Sequence, residues 1–124
     1  MNGFVQFIRE YWLALSLLLL AAITLLSLTP LPQLPSVPGN DKTHHFIAYG
    51  ALIFPLILKK PKYWFVVIIF FALWSGLIEL IQPYANRYGE WLDMLANSGG
   101  LCFGATLAHI VNRFYPAHES LKNV

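Results

Sequence analysis

The chain has 124 residues, of which 57% are hydrophobic and only 11% are charged, and its formal net charge is +2. A soluble domain of this size could not bury so much apolar surface, so the composition indicates a single-domain membrane protein. Scattered basic residues argue against a nucleic-acid-binding face. The lone cysteine, Cys102, excludes an internal disulfide and a cysteine metal cluster.

Four apolar stretches follow one another along the chain and predict four transmembrane helices, at about residues 11–28, 43–58, 63–82 and 91–111. The first has 18 residues without a charge, which as a helix cover about 27 Å, close to the thickness of a bilayer core. Helices are expected because a spanning segment must satisfy its own backbone hydrogen bonds. The predicted fold is therefore all-α, a four-helix transmembrane bundle.

The proline-rich stretch SLTPLPQLPSVPG follows the first apolar segment. Proline cannot continue a helix and disfavours helix in the residue before it, so this stretch predicts an extended connector. It lacks a good small-residue cleavage pattern, and the apolar run before it is longer than a usual signal-peptide core. We therefore expect the first segment to be a membrane helix rather than a cleaved signal.

Basic residues in the flanks predict the orientation of the bundle. With the N-terminus in the cytoplasm, six basic residues lie on the cytoplasmic side and two, Lys42 and Arg87, on the outer side. Cytoplasmic flanks carry the excess of lysine and arginine in membrane proteins, so both termini are predicted to be cytoplasmic. The six cytoplasmic residues are Arg9, Lys59, Lys60, Lys62, Arg113 and Lys122.

This topology gathers polar residues from three predicted helices at the outer face. At about 100° per residue, Asp93 and Asn97 share one side of the fourth helix, and Glu79 and Gln82 share one side of the third. Lipid penalises a charged side chain by about 2.5–3.5 kcal/mol on insertion scales, so these sides are expected to face one another. The predicted ligand-binding residues are Asp41, Lys42, His45, Tyr49, Glu79, Gln82, Arg87, Asp93 and Asn97.

Several of these residues also have a purely structural interpretation. Asp93 can stabilise the N-terminus of its helix, and Asn97 can hydrogen-bond a neighbouring helix. Gly100 and Gly104 form a small-xxx-small pattern that is typical of close helix packing. Glu79 has no comparable local explanation, and for this reason the set as a whole favours a functional site.

Two sequence patterns resemble the VanZ-like family of small multi-pass membrane proteins. DKTHHFIAY, residues 41–49, resembles the family signature D-K-x-x-H-x-x-x-Y, and its spacing selects His45 rather than His44. The run E-x-x-Q-x-x-x-x-R-x-x-x-x-x-D-x-x-x-N-x-x-G, from Glu79 to Gly100, resembles the second block of that family. The resemblance implies a multi-pass protein of the bacterial plasma membrane. Some relatives are associated with resistance to teicoplanin, a lipid-tailed glycopeptide that acts on the outer leaflet.

The favoured hypothesis is a binding module for an amphipathic ligand, such as a lipid-linked envelope precursor, a phospholipid or a lipoglycopeptide. Arg87 would hold an anionic group bidentately, with Lys42 as a second positive charge. His45, Tyr49, Gln82 and Asn97 would supply hydrogen bonds. Glu79 and Asp93 would position the cations or hydroxyl groups of the ligand.

Two alternatives are an intramembrane enzyme and a small transporter. His45, Glu79 and Asp93 are the catalytic candidates, since such groups provide general acid and base chemistry, but no nucleophile or metal motif is recognisable. Asp41 with those three residues could hold a metal through oxygen and nitrogen ligands. This spacing signal is weak, and no metal or cofactor is predicted. A transporter is disfavoured because the inner halves of the second and third segments carry almost no polar groups.

Overall fold

The computed structural model describes residues 2–29, 41–85 and 91–116, and the regular structure within these ranges is entirely helical. A short helix at the N-terminus was not predicted, whereas the other four correspond to the four apolar stretches. The helices are α1 (Asn2–Glu10), α2 (Trp12–Ser27), α3 (Asp41–Lys59), α4 (Trp64–Ile81) and α5 (Trp91–Phe114), and a 3₁₀ turn (Gln82–Ala85) follows α4.

Length and composition identify two to three candidate membrane spans among the described helices. Trp64–Tyr84 and Trp91–Phe114 are each long and apolar enough to cross a bilayer, with mean hydropathies of 2.3 and 1.3. The pair α1 and α2 meets the same requirement only as one broken span, with a 72° bend between the two helices. The all-α class is thereby confirmed, whereas the four-helix transmembrane bundle stays a prediction.

Helix α3 was predicted to span the membrane but is not among these candidates. Lysine and histidine residues at its ends lower its hydropathy, and its apolar side chains pack inside the protein. Leu52, Ile53, Leu56 and Leu58 are almost completely buried, against α1, α2 and α5. Most of the apolar side chains in the second half of α3 therefore pack against other helices.

Helices α3 and α5 lie side by side in parallel. Near the start of both helices, His45 contacts Asn97. Near the end of both, the Asn112 side-chain amide donates a 2.9 Å hydrogen bond to the carbonyl of Ile57. This arrangement puts the polar starts of α3 and α5 at the same end of the molecule.

Three glycines allow the backbones of α3 and α5 to come unusually close. A Cβ atom at Gly100 would overlap the carbonyl oxygen of Phe46, and one at Gly104 would overlap the carbonyl oxygen of Gly50. At Gly50 itself, a Cβ would lie 3.3 Å from the Gly100 oxygen. The small residues on α5 therefore serve close packing, as small-xxx-small patterns commonly do.

Arg9 joins three chain segments at the opposite end of the molecule. The side chain is buried, and its Nε atom donates to the Leu58 carbonyl at 3.2 Å. Its Nη2 atom donates to Asn112 Oδ1 at 2.7 Å and to the carbonyl of Tyr115. Whatever its contribution to membrane orientation, Arg9 thus also satisfies backbone carbonyls near the ends of α3 and α5.

Helix α4 and the 3₁₀ turn that follows it are each joined to α2 by a side-chain hydrogen bond. The Trp74 indole donates to Thr24 Oγ1 at 2.8 Å, and Gln82 Nε2 donates to the carbonyl of Ser27 at 3.1 Å. Interhelical hydrogen bonds of this kind help to hold helices together where lipid gives no hydrophobic driving force.

We predict that Gly104→Ala destabilises the protein, because the added methyl group would push α3 and α5 apart. Overpacking of this kind costs about 1–3 kcal/mol, which exceeds the gain of up to about 1 kcal/mol that alanine brings in a helix. The measurement is the free energy of unfolding in mixed micelles.

Gly76→Ala is the matched control, since its Cβ would meet only the side chain of Met94, at 3.8 Å. This variant should be as stable as the wild type or slightly more stable. Equal effects of Gly76→Ala and Gly104→Ala would contradict the close approach of α3 and α5.

Candidate functional site

A group of polar side chains from three helices meets where α3 and α5 begin and α4 ends. We call this group the polar cluster. It lies in a protein whose described surface carries many exposed large apolar side chains. The polar cluster consists of Lys42 and His45 on α3, Ser75 and Glu79 on α4, and Asp93 and Asn97 on α5.

Asn97 connects the three helices through its side-chain amide. His45 Nδ1 lies 2.8 Å from Asn97 Oδ1, and Asn97 Nδ2 donates to Ser75 Oγ at 2.6 Å. The Ser75 hydroxyl lies 3.4 Å from the sulfur of Met94. Since an amide oxygen can only accept a hydrogen bond, this arrangement places the imidazole proton on Nδ1. In the neutral imidazole, Nε2 is then the acceptor.

Asp93 is the buried anion of the polar cluster. Its Oδ1 atom lies 3.2 Å from the Lys42 ammonium, and its Oδ2 atom lies 3.8 Å from His45 Nε2. The Lys42 side chain is 40% exposed, whereas that of Asp93 is 2% exposed. The lysine therefore compensates a buried carboxylate while it remains accessible from outside the protein.

Glu79 brings a second carboxylate to the same place. The residue is half-buried, but its Oε1 atom is enclosed. Possible ligand atoms of His45, Glu79 and Asp93 all lie within 4.8 Å of one another. Tyr49 is also buried, and its phenol hydrogen-bonds to Ser75. Two carboxylates, an imidazole and a phenol thus come together in a small volume.

The structure brings together most of the residues predicted to bind a ligand, namely Lys42, His45, Tyr49, Glu79, Asp93 and Asn97. Gln82 is completely buried, but the hydrogen bond of its amide nitrogen runs to the end of α2. Arg87 and the side chain of Asp41 lie outside the residues that the structure describes. Whether any of these residues binds a ligand stays a prediction.

Two members of this region were not among the predicted site residues. Ser75 is one of them, although its position one turn before Glu79 was a usable signal. Met94 gave no signal, because its contact with Ser75 depends on how α4 and α5 pack. Of the two adjacent histidines, His45 is buried and His44 is half-buried.

We predict that Asn97→Ala destabilises the protein, since it leaves polar atoms of His45 and Ser75 without this hydrogen-bond partner. The loss should be about 1–3 kcal/mol, whereas Ser98→Ala, an exposed neighbour on α5, should change little. A double-mutant cycle with His45→Ala should give a coupling energy of about 0.6–1.7 kcal/mol. Strict additivity of the two substitutions would contradict the His45–Asn97 bond.

Comparison with known proteins identifies one family. A family model described as VanZ/LLP1 matches residues 4–112, a range that includes every predicted site residue. No curated protein and no solved structure matches the chain. Since the family model covers most of the sequence, this chain belongs to the VanZ/LLP1 family.

Proposed function

We propose that this protein binds the polar head group of a membrane amphiphile in the polar cluster. The observation that supports the proposal most directly is that charged and polar side chains from α3, α4 and α5 converge at one end of a mainly apolar protein. These residues are Lys42, His45, Glu79, Asp93 and Asn97. Charged groups inside membrane proteins are energetically costly and commonly mark binding or transport sites.

Lys42 is well suited to the first contact with an anionic head group. Its ammonium lies beside Asp93 yet remains 40% exposed, so it can turn toward a phosphate or carboxylate without leaving the site. Arg87, six positions before Asp93 in the chain, is proposed as a second cation with bidentate geometry. Asn97, Tyr49 and Gln82 are proposed as hydrogen-bonding residues, and the side chain of Asp41 is proposed to join them.

The ligand is expected to be amphipathic because the protein itself is embedded in lipid. An apolar cavity of about 520 Å³ lies between α1, α2, α3 and α5. It could accommodate part of the hydrocarbon chain of such a ligand. Phe4, Phe7, Leu15, Phe46, Phe54 and Phe103 are among its lining residues. The proposed ligand class is a phospholipid, a lipid-linked envelope precursor or a lipoglycopeptide.

A second candidate function, an intramembrane enzyme acting on the head group, is favoured by one specific observation. His45, Glu79 and Asp93 have ligand atoms within 4.8 Å of one another, a spacing over which proton transfer groups can cooperate. An imidazole and two carboxylates can act as general acid and base on a bound phosphate or acyl group. These three residues therefore remain the catalytic candidates.

The proposed location is the bacterial plasma membrane, with the polar cluster at its outer face and both termini in the cytoplasm. The Arg9 contacts support part of this arrangement, since they place α1 at the same end as the C-terminal ends of α3 and α5. The polar cluster lies at the other end of α3 and α5. A role in the cell envelope or in the response to glycopeptides is proposed on family membership.

Binding is tested by native mass spectrometry of the protein released from nanodiscs that contain phosphatidylglycerol, phosphatidylethanolamine and undecaprenyl phosphate. The wild type should retain a lipid with an anionic head group. Lys42→Gln and Arg87→Gln should each reduce its retention about fivefold or more, equivalent to about 1 kcal/mol. The reason is the loss of one positive charge that faces the ligand.

Lys60→Gln is the matched control, because it removes a lysine just beyond the C-terminal end of α3. Equal retention by all four proteins would overturn the proposal. Appearance of a lipid without its head group, abolished by Asp93→Asn, would instead support the enzyme.

The orientation is tested by labelling single cysteines in intact cells with a membrane-impermeant maleimide. In a Cys102→Ser background, Ser36→Cys should react from outside, whereas Ser120→Cys should react only after the membrane is permeabilised. The reverse pattern would contradict the predicted orientation.

A further inference from the structure

We infer that His45, Glu79 and Asp93 form a binding site for one divalent transition-metal ion, such as Zn²⁺ or Mn²⁺. No metal was predicted from the sequence, because the spacing of these residues along the chain matches no metal-binding motif. In the fold, however, α3, α4 and α5 bring one ligand atom from each residue within 4.8 Å of the other two. The inference concerns the site of the proposed function and rests on it only for the role of the ion.

The distance between His45 and Asp93 fits two ligands of a single ion. His45 Nε2 and Asp93 Oδ2 lie 3.8 Å apart, which is beyond normal hydrogen-bond length. Bonds from zinc to histidine nitrogen and carboxylate oxygen measure about 2.0–2.2 Å, so two ligand atoms of one ion lie up to about 4 Å apart. The Glu79 ligand atom lies within 4.8 Å of both of these atoms, so a small side-chain movement would bring it into the same coordination sphere.

The environment of His45 supplies a second, independent observation. Its Nδ1 atom lies 2.8 Å from the side-chain amide oxygen of Asn97 and donates to it. Nε2, which lies 3.8 Å from Asp93 Oδ2, is the ring atom left to bind a metal. Metal-binding histidines almost always donate their other ring N–H to an oxygen acceptor in this way. Asn97, which is held in turn by Ser75, is then a positioning residue rather than a metal ligand.

The charges and donor atoms of the site suit a divalent ion. Among the described residues, two carboxylates and the Lys42 ammonium come together here, and the ammonium lies 3.2 Å from Asp93 Oδ1. A divalent ion between the two carboxylates would offset their mutual repulsion. One imidazole with two carboxylates is a mixed donor set that zinc and manganese accept, whereas calcium and magnesium prefer oxygen ligands alone.

Three protein ligands leave at least one coordination position for water or for an oxygen atom of a bound head group. Such an open position is characteristic of functional rather than structural metal sites. An ion at this place would give the proposed site a strong partner for a phosphate group, next to Lys42. It would also make a water molecule available for hydrolysis, should the protein prove to be an enzyme.

The test is metal analysis of the full-length protein, purified in detergent with a tag that contains no histidine. After removal of metal with a chelator, the protein is titrated separately with Zn²⁺, Mn²⁺, Mg²⁺ and Ca²⁺, and bound metal is measured by inductively coupled plasma mass spectrometry. The wild type should take up one equivalent of Zn²⁺ or Mn²⁺. His45→Gln, Glu79→Gln and Asp93→Asn should each weaken binding at least about tenfold.

Two further variants separate the metal site from unspecific uptake. His109→Gln removes an exposed histidine on α5 and should leave metal binding unchanged. Asn97→Leu should weaken binding by about 10–100-fold, as is typical when the hydrogen-bond partner of a metal-binding histidine is lost. Equal uptake by the wild type and His45→Gln would overturn the inference.

A spectroscopic measurement on the wild type keeps the test decisive if the variants fail to fold. In the Mn²⁺-loaded wild type, pulsed electron paramagnetic resonance should detect the nuclear coupling of one imidazole nitrogen. Bound Mn²⁺ without such a coupling, or the absence of any bound transition metal, would overturn the inference.

Lipid retention by metal-free and metal-loaded protein distinguishes the two proposals. Head-group retention without any metal uptake would contradict the metal site and leave the proposed function intact. Metal uptake without head-group retention would do the opposite.

Discussion

The close packing of α3 against α5 is the constraint on which the rest of the structure depends. Gly50, Gly100 and Gly104 remove the side chains that would otherwise separate the two backbones. Because the helices are parallel and this close, the residues about one turn before the glycines on each helix also meet. His45 can therefore reach Asn97 across the interface at 2.8 Å. The polar cluster thus depends on the glycine packing, because the glycines allow the backbones of α3 and α5 to come close enough for the polar side chains to meet.

The two ends of the α3–α5 pair satisfy their polar groups in different ways. At one end, Arg9 and Asn112 donate hydrogen bonds to backbone carbonyls of α3, and the arginine is almost completely enclosed. At the other end, charged side chains face one another and Lys42 remains partly exposed. A buried group that is fully hydrogen-bonded to backbone mainly stabilises the fold. A partly exposed group such as Lys42, which contacts the Asp93 carboxylate, is better suited to bind a ligand instead.

Local sequence patterns were sufficient to predict the parts of this structure that depend on helical periodicity. The four apolar stretches and the shared side of Asp93 and Asn97 follow from spacing alone. The burial of Arg9 could not be predicted, because its acceptor Leu58 is 49 positions away and the contact depends on the bend between α1 and α2. The central position of α3 could not be predicted either. It depends on contacts with α1, α2 and α5, which are distant in the sequence.

The energetic cost of the polar cluster is itself an argument for function. A buried ion pair is often neutral or unfavourable compared with apolar residues of similar size, whereas the loss of only one partner is strongly destabilising. Asp93 is the buried member of this pair, with a side chain that is 2% exposed, so its burial costs free energy that an apolar residue at this position would not incur. The chain has only 11% charged residues, yet it places two carboxylates and a lysine together at this point. The helix N-terminus gives a stability reason for Asp93 but none for Glu79 beside it, whereas the binding of a polar ligand or an ion accounts for both.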